Sequence, residues 1–119
     1  MAALALVGAS TLALGANAQE RLMKPGGNWA GMLQASDGGH LFGNPEAEKK
    51  LIEFMSYTCS HCAQFARRGD GALKLAYVPT GKISYEIRHL IRDPVDLTAA
   101  LLTHCGDPKK FGRNHEAIT

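Results

Sequence analysis

Cys59 and Cys62 stand three residues apart in Thr58-Cys-Ser-His-Cys-Ala63, directly behind the apolar run Leu51-Ile-Glu-Phe-Met-Ser-Tyr57. A strand that runs into a helix here sets Cys59 at the exposed helix start and Cys62 a turn further in. That arrangement suits reversible disulfide chemistry. The thiolate is the reactive form, and a helix N-terminus favours it through partial positive charge and unpaired N–H groups. His61 lies between the cysteines, and its imidazolium adds a second favourable interaction. The bland alternatives are a static cysteine pair and a solvated loop histidine. Of the two sulfurs, Cys59 is the expected nucleophile, because it comes first and faces solvent.

Glu53 is a lone acid in a strand otherwise built to be buried, so it must find a partner or be protonated. An ion pair with Lys49 or Lys50 is one solution. Cys105, after His104, reads as a buried thiol in helix packing. A zinc site joining His104, Cys105 and His115 to Cys59 and Cys62 has the right ligand types. Adjacent helical residues point about 100° apart, however, and the gap is long. His40 and His89 show no ligand-like spacing, so no metal is predicted.

The elements that must position these residues are legible in the periodicity. Lys50–Tyr57 is apolar on both faces apart from Glu53, which predicts a central strand covered on both sides of a parallel sheet. From Cys59 onward, Cys62, Phe65 and Ala66 share one helical face. Gly69-Asp70-Gly71 predicts a kink, Ala72–Tyr77 resumes the apolar face, and Pro79-Thr80-Gly81 closes the segment. Lys82–Arg92 alternates, with Ile83, Tyr85, Ile87 and Ile91 opposite Ser84, Glu86, Arg88 and Arg92, and predicts a second strand. Strand, helix and strand make a βαβ unit. His40–Phe42 reads as a brief edge strand. Asp93-Pro94 and Asp107-Pro108 each place an N-cap carboxylate before a proline at the first helical position. The first of these helices carries Val95, Leu97, Leu101 and Leu102 and stops at Gly106. The second has only begun at Thr119, which suggests a truncated chain.

The 119 residues allow one domain, and 45% hydrophobic with 20% charged content supports a soluble core. A net charge of +2 from scattered basic residues argues against a nucleic-acid partner. Three cysteines are too few for a disulfide-framework miniprotein. Ala2–Leu14 is uncharged and apolar but shorter than the roughly 20 residues of a membrane span. Ala16-Asn17-Ala18 supplies a small-x-small cleavage pattern, so residues 1–18 read as a signal peptide even though the usual basic start is missing. Export would place the cysteines in an oxidising compartment, periplasmic or secreted.

The strand with its acid six positions before the first cysteine, followed by Cys59-Ser60-His61-Cys62 and Phe65, resembles the DsbA-like branch of the thioredoxin superfamily. The resemblance runs from about Asp37 to Thr119. It implies an α/β fold: residues 37–92 as a thioredoxin-like βαβ portion and 93–119 as the start of an inserted, incomplete helical domain, after a tail at 19–36. It implies a disulfide oxidoreductase acting on the cysteine thiols of client proteins, reoxidised by a membrane redox partner while not itself spanning the membrane. No dissociable cofactor is implied; the redox group is the Cys59–Cys62 disulfide. Glu53 takes the place of the family's buried acid, which serves the inner cysteine as a proton shuttle. Ser60 departs from the family's usual proline, and the family's cis-proline loop, closing strands and final helix have no counterpart before Thr119. Thioredoxin and DsbA potentials differ by about 150 mV, or about 7 kcal/mol for two electrons. Lowering a cysteine pKa from about 8.5 to about 3.5 stabilises its thiolate by nearly the same amount. Thiolate stabilisation at Cys59 therefore favours an oxidant. The alternatives are a non-catalytic zinc- or peptide-binding module of the same fold and an inactive fragment.

Overall fold

The computed structural model describes residues 28–119. The signal-peptide reading at 1–18 lies outside the described residues. Four strands, β1 (Leu33–Ser36), β2 (Gly39–Phe42), β3 (Lys49–Met55) and β4 (Ile83–His89), form one mixed sheet in the order β1-β2-β4-β3. β1 and β2 make a hairpin across Asp37 and Gly38, and β2 runs antiparallel to β4. β3 and β4 are parallel, with Lys49 opposite Ile83 and Met55 opposite His89. Parallel neighbours require a crossover, and the helical stretch between them supplies it. The α/β class and the βαβ unit follow the sequence reading.

The position of the strands does not. The central strand is β4, where Ser84, Tyr85, Glu86 and Ile87 are all buried. β3 borders β4 alone among the described residues, and its Leu51, Ile52 and Phe54 are exposed. Composition marks a strand as suited to cover on both faces, but the elements packed on those faces decide whether it is covered. β2, read as an edge strand, pairs on both sides. The edge belongs to β1, which arises within the stretch read as a tail at 19–36. Trp29, further back in that stretch, is buried. Its indole lies against Gly81, where an added Cβ would come within 2.5 Å of the ring, and Gly81 ends the crossover with φ 72°.

The crossover begins as α1 (Ser60–Phe65) and continues through wide π-helical turns at Ala66–Asp70 and Leu73–Tyr77 to a 3-10 turn at Val78–Thr80. The predicted kink at Gly69-Asp70-Gly71 is absorbed as a widened turn. Gly69 runs close to Phe65, whose ring an added Cβ would meet at 2.7 Å. Asp70 is buried and ion-paired with Lys74 at 2.9 Å.

Both aspartate-proline starts are realised. Asp93 caps α2 (Pro94–Thr103) by accepting the Asp96 N–H at 2.8 Å. Asp107 accepts the Lys109 N–H at 2.9 Å ahead of a 3-10 turn at Pro108–Lys110 and α3 (Phe111–Ile118). The apolar face expected on α2 is open: Val95, Leu97, Leu101 and Leu102 are exposed, while Asp96, Ala100 and Thr103 are buried. Cys105, just beyond α2, is likewise exposed rather than packed.

The core gathers Met55, Val78, Tyr85, Ile87 and Phe111, with Tyr57 and Cys62 packed against it. A fully buried side chain of this size contributes about 1.5–3 kcal/mol. α3 supplies Phe111 from one end of this core, and β3 leads out of it into the cysteine turn.

Candidate active site

β3 ends at Met55, and the turn Ser56–Cys59 carries the chain into α1. Cys59 has an extended backbone, φ −102° and ψ 112°, and is itself the N-cap of α1. Its Sγ accepts the Cys62 N–H at 3.4 Å. Both cysteines are free thiols, Cys59 at the helix start and Cys62 one turn inward against the core. The helix start leaves N–H groups without intrahelical partners, and a sulfur at the cap position is where they point.

The two sulfurs are driven apart chemically. Hydrogen bonds from the Cys62 thiol and N–H hold the Cys59 thiol below its ordinary value, helped by the His61 N–H and the Arg92 charge. Burial pushes the Cys62 thiol up, reinforced by its bond to Cys59 and by the Glu53 carboxylate. The two sulfurs therefore differ in proton affinity, and the outer one gives up its proton more readily than the inner one. A dithiol of this kind can attack a disulfide through its outer sulfur, and its disulfide form can be attacked at that same sulfur.

His61 and Ser60 are both exposed. His61 acts on Cys59 through its backbone N–H, and the cation at the site is Arg92, which the sequence reading did not single out. Glu53 is half-buried, and its partner is the Tyr85 hydroxyl, not Lys49 or Lys50. Burial raises the Glu53 pKa above the usual carboxylate range, against the Tyr85 bond, which lowers it. Tyr85 is fully buried, and its hydroxyl is pushed far up by desolvation and by Glu53. The alternation put Tyr85 on one side of its strand with Ile83 and Ile87; only the β3–β4 register brings it to Glu53.

A second set of residues clusters around Tyr57 and Phe111. Tyr57 Oη meets His115 Nδ1 at 2.8 Å, and Asp96, buried in α2, accepts the Tyr57 N–H at 2.8 Å. His89 Nε2 and His104 Nε2 are 3.0 Å apart, and His40 stacks on Phe111 at 3.7 Å between ring centroids. The zinc grouping weighed from sequence is not assembled: His115 engages Tyr57, and the Cys105 thiol points to the Leu101 carbonyl at 3.7 Å. Among the described residues, no group of three or more His, Cys, Asp or Glu side chains is placed to hold a metal ion. Also among the described residues, no helix is long and apolar enough to cross a membrane.

Comparison with known proteins bears on the fold and family of the chain. The profile of the family described as Thioredoxin matches residues 35–119. A Rickettsia conorii protein that carries the provisional name protein-disulfide oxidoreductase is 35% identical over 87 residues, covering 72% of this chain and 31% of its own. Among solved structures, a protein-disulfide isomerase from Novosphingobium aromaticivorans superposes with TM-score 0.66 at 46% identity, over 71% of this chain and 43% of its own. Wolbachia pipientis alpha-DsbA1 superposes with TM-score 0.62 at 34% identity, over 73% of this chain and 44% of its own. The chain thus spans about a third of the length of the curated relatives it matches.

Proposed function

Because the chain belongs to the thioredoxin family, we propose that it is an exported thiol:disulfide oxidoreductase working through Cys59-Ser60-His61-Cys62. The observation that carries the reading is the placement of the pair: Cys59 caps α1 with its Sγ accepting the Cys62 N–H at 3.4 Å, while Cys62 packs one turn inward against the core. The disulfide oxidoreductase and isomerase names of its relatives support the same chemistry.

In the oxidising direction a client thiolate attacks Cys59 Sγ of the disulfide form. The Cys59–Cys62 bond breaks with its electron pair on Cys62, which takes up a proton. A second client thiolate then attacks the client sulfur of the mixed disulfide and expels Cys59 as a thiolate. The client loses two electrons and gains a disulfide, and the chain is left as the dithiol. Reoxidation requires a disulfide or quinone-linked oxidant, and by family resemblance this is a membrane redox partner. The Ala16-Asn17-Ala18 pattern supports export to the periplasm or beyond, where such clients fold.

Stabilising the leaving thiolate favours the reduced protein and makes the disulfide oxidising. Equilibration of the Cys59–Cys62 couple against glutathione tests this. A potential well above thioredoxin's, about −270 mV, is expected. A value at or below it removes the oxidase direction.

A further inference from the structure

The turn that presents Cys59 is held by residues 35 to 39 positions further along the chain. Asp96 Oδ1 accepts the Tyr57 N–H at 2.8 Å, and its Oδ2 accepts the Arg92 N–H at 3.0 Å. Asp93 Oδ2 accepts the Thr58 hydroxyl at 2.7 Å. Within the turn, Thr58 Oγ1 lies 3.1 Å from Ser56 Oγ, and the Cys59 N–H reaches the Ser56 carbonyl at 3.2 Å.

Helix capping does not account for these bonds. One carboxylate oxygen suffices to cap a helix, and Asp93 Oδ1 does so through the Asp96 N–H. The second oxygen of Asp93 and the Oδ1 of Asp96 are directed at the cysteine turn instead. Asp96 is 1% exposed. A buried carboxylate is tolerated only when its charge is satisfied by donors. Burial pushes the Asp96 carboxyl up, yet the nearby Ser56 side chain and the Tyr57 and Arg92 N–H groups outweigh it and leave the group below the usual range. Of the two hydrogen bonds to its oxygens, the one from the Tyr57 N–H ties the carboxylate to the turn.

We infer that Asp93 and Asp96 are positioning residues for the Cys59 thiolate: the first turn of α2 clamps residues 56–58, so that Cys59 Sγ stays over the open N–H groups of α1. The inference rests on the reading of Cys59 as the reactive sulfur. It gives α2 a role at the redox site without contact with substrate. The titratable and charged groups about Cys59 are Cys62 and His61 on its own helix and Arg92, Asp93 and Asp96 on the segment entering α2.

Electrostatics alone predicts the opposite outcome, which makes the clamp testable by sign. A carboxylate near a thiol disfavours the thiolate, so removing a bystander charge would lower the Cys59 pKa. Removing a clamp lets Cys59 drift from the helix start and raises it. The experiment is the pH dependence of carbamidomethylation of the reduced full chain on a Cys105→Ser background, localised to Cys59 by mass spectrometry. Thr58→Val deletes one clamp bond without changing charge, and Asp96→Asn removes the buried anion and sets an amide against backbone donors. In both, the half-reaction pH of Cys59 is expected to rise toward the free-thiol value of about 8.5, further in Asp96→Asn. An unchanged midpoint in Thr58→Val, or a lower one in Asp96→Asn, overturns the clamp. If Asp96→Asn does not fold, Thr58→Val decides alone. A parent chain that already titrates near 8.5 refutes the redox-site reading itself. A low parent value with unmoved variants refutes only the clamp.

Discussion

Acid should begin to destabilise this protein near pH 6.5, above the range in which its carboxylates protonate, because two histidines are buried neutral. His40 and His115 are both almost wholly buried, and desolvation, aided by neighbouring positive groups, lowers each from 6.5 to about 4. His40 Nδ1 and His115 Nε2 have no hydrogen-bond partner, so a proton added there would be an unsolvated charge beside Phe111. The unfolded chain binds protons at these imidazoles from about pH 6.5 downward, whereas the folded chain binds them only near 4. Their stabilising contribution is therefore complete above 6.5 and lost as the pH falls toward 4. About 2.5 pH units at roughly 1.4 kcal/mol each gives on the order of 3 kcal/mol per histidine. Two such losses are comparable to the whole stability of an ordinary domain, roughly 5–15 kcal/mol. His89 is lowered in the same direction, while Glu53, whose pKa is raised, opposes the trend weakly. Urea midpoints measured by circular dichroism between pH 7.5 and 4.5 should fall steadily, and His115→Gln should flatten the slope by nearly one proton. Stability that is level across this range, or a slope identical in the variant, would refute the burial argument.

Three further outcomes follow from named contacts. Tyr85→Phe removes the donor that stabilises the Glu53 carboxylate, a charged hydrogen bond worth about 1.5–3 kcal/mol. Carboxyl-carbon NMR should show the Glu53 titration moving further up, and no movement would deny Tyr85 that role. Gly81→Ala forces a side chain into a left-handed backbone and against Trp29, so a loss of about 1–2 kcal/mol or more is expected, with a shift in tryptophan fluorescence reporting the displaced indole. Ile87→Ala empties a site with no solvent exposure in the central strand and should cost about 2–5 kcal/mol in chemical denaturation; a loss under 1 kcal/mol would contradict its place in the core.

What could be read without coordinates was whatever depends on neighbours in sequence. The cysteine spacing, the apolar run before it, the alternation from Ile83 and the two aspartate-proline starts all report local periodicity or local capping. Each reappears as the expected element. Gly69 was legible as a helix irregularity but not as a widened turn, because the ring it runs close to lies four residues back.

Strand order, burial and side-chain partnership belonged to the tertiary structure. Two parallel strands of similar apolarity cannot announce which is interior; the hairpin of β1 and β2 chose β4 and left β3 flanked on one side among the described residues. Glu53 needed a donor by elementary solvation, yet only the register of β3 against β4 identified Tyr85 over the nearby lysines. Asp96 had no part in the sequence reading, and only the fold sets it against the Tyr57 N–H. Periodicity is fixed by the rise and twist of one chain, whereas the chemistry of this site depends on residues brought within 3 Å from more than thirty positions away.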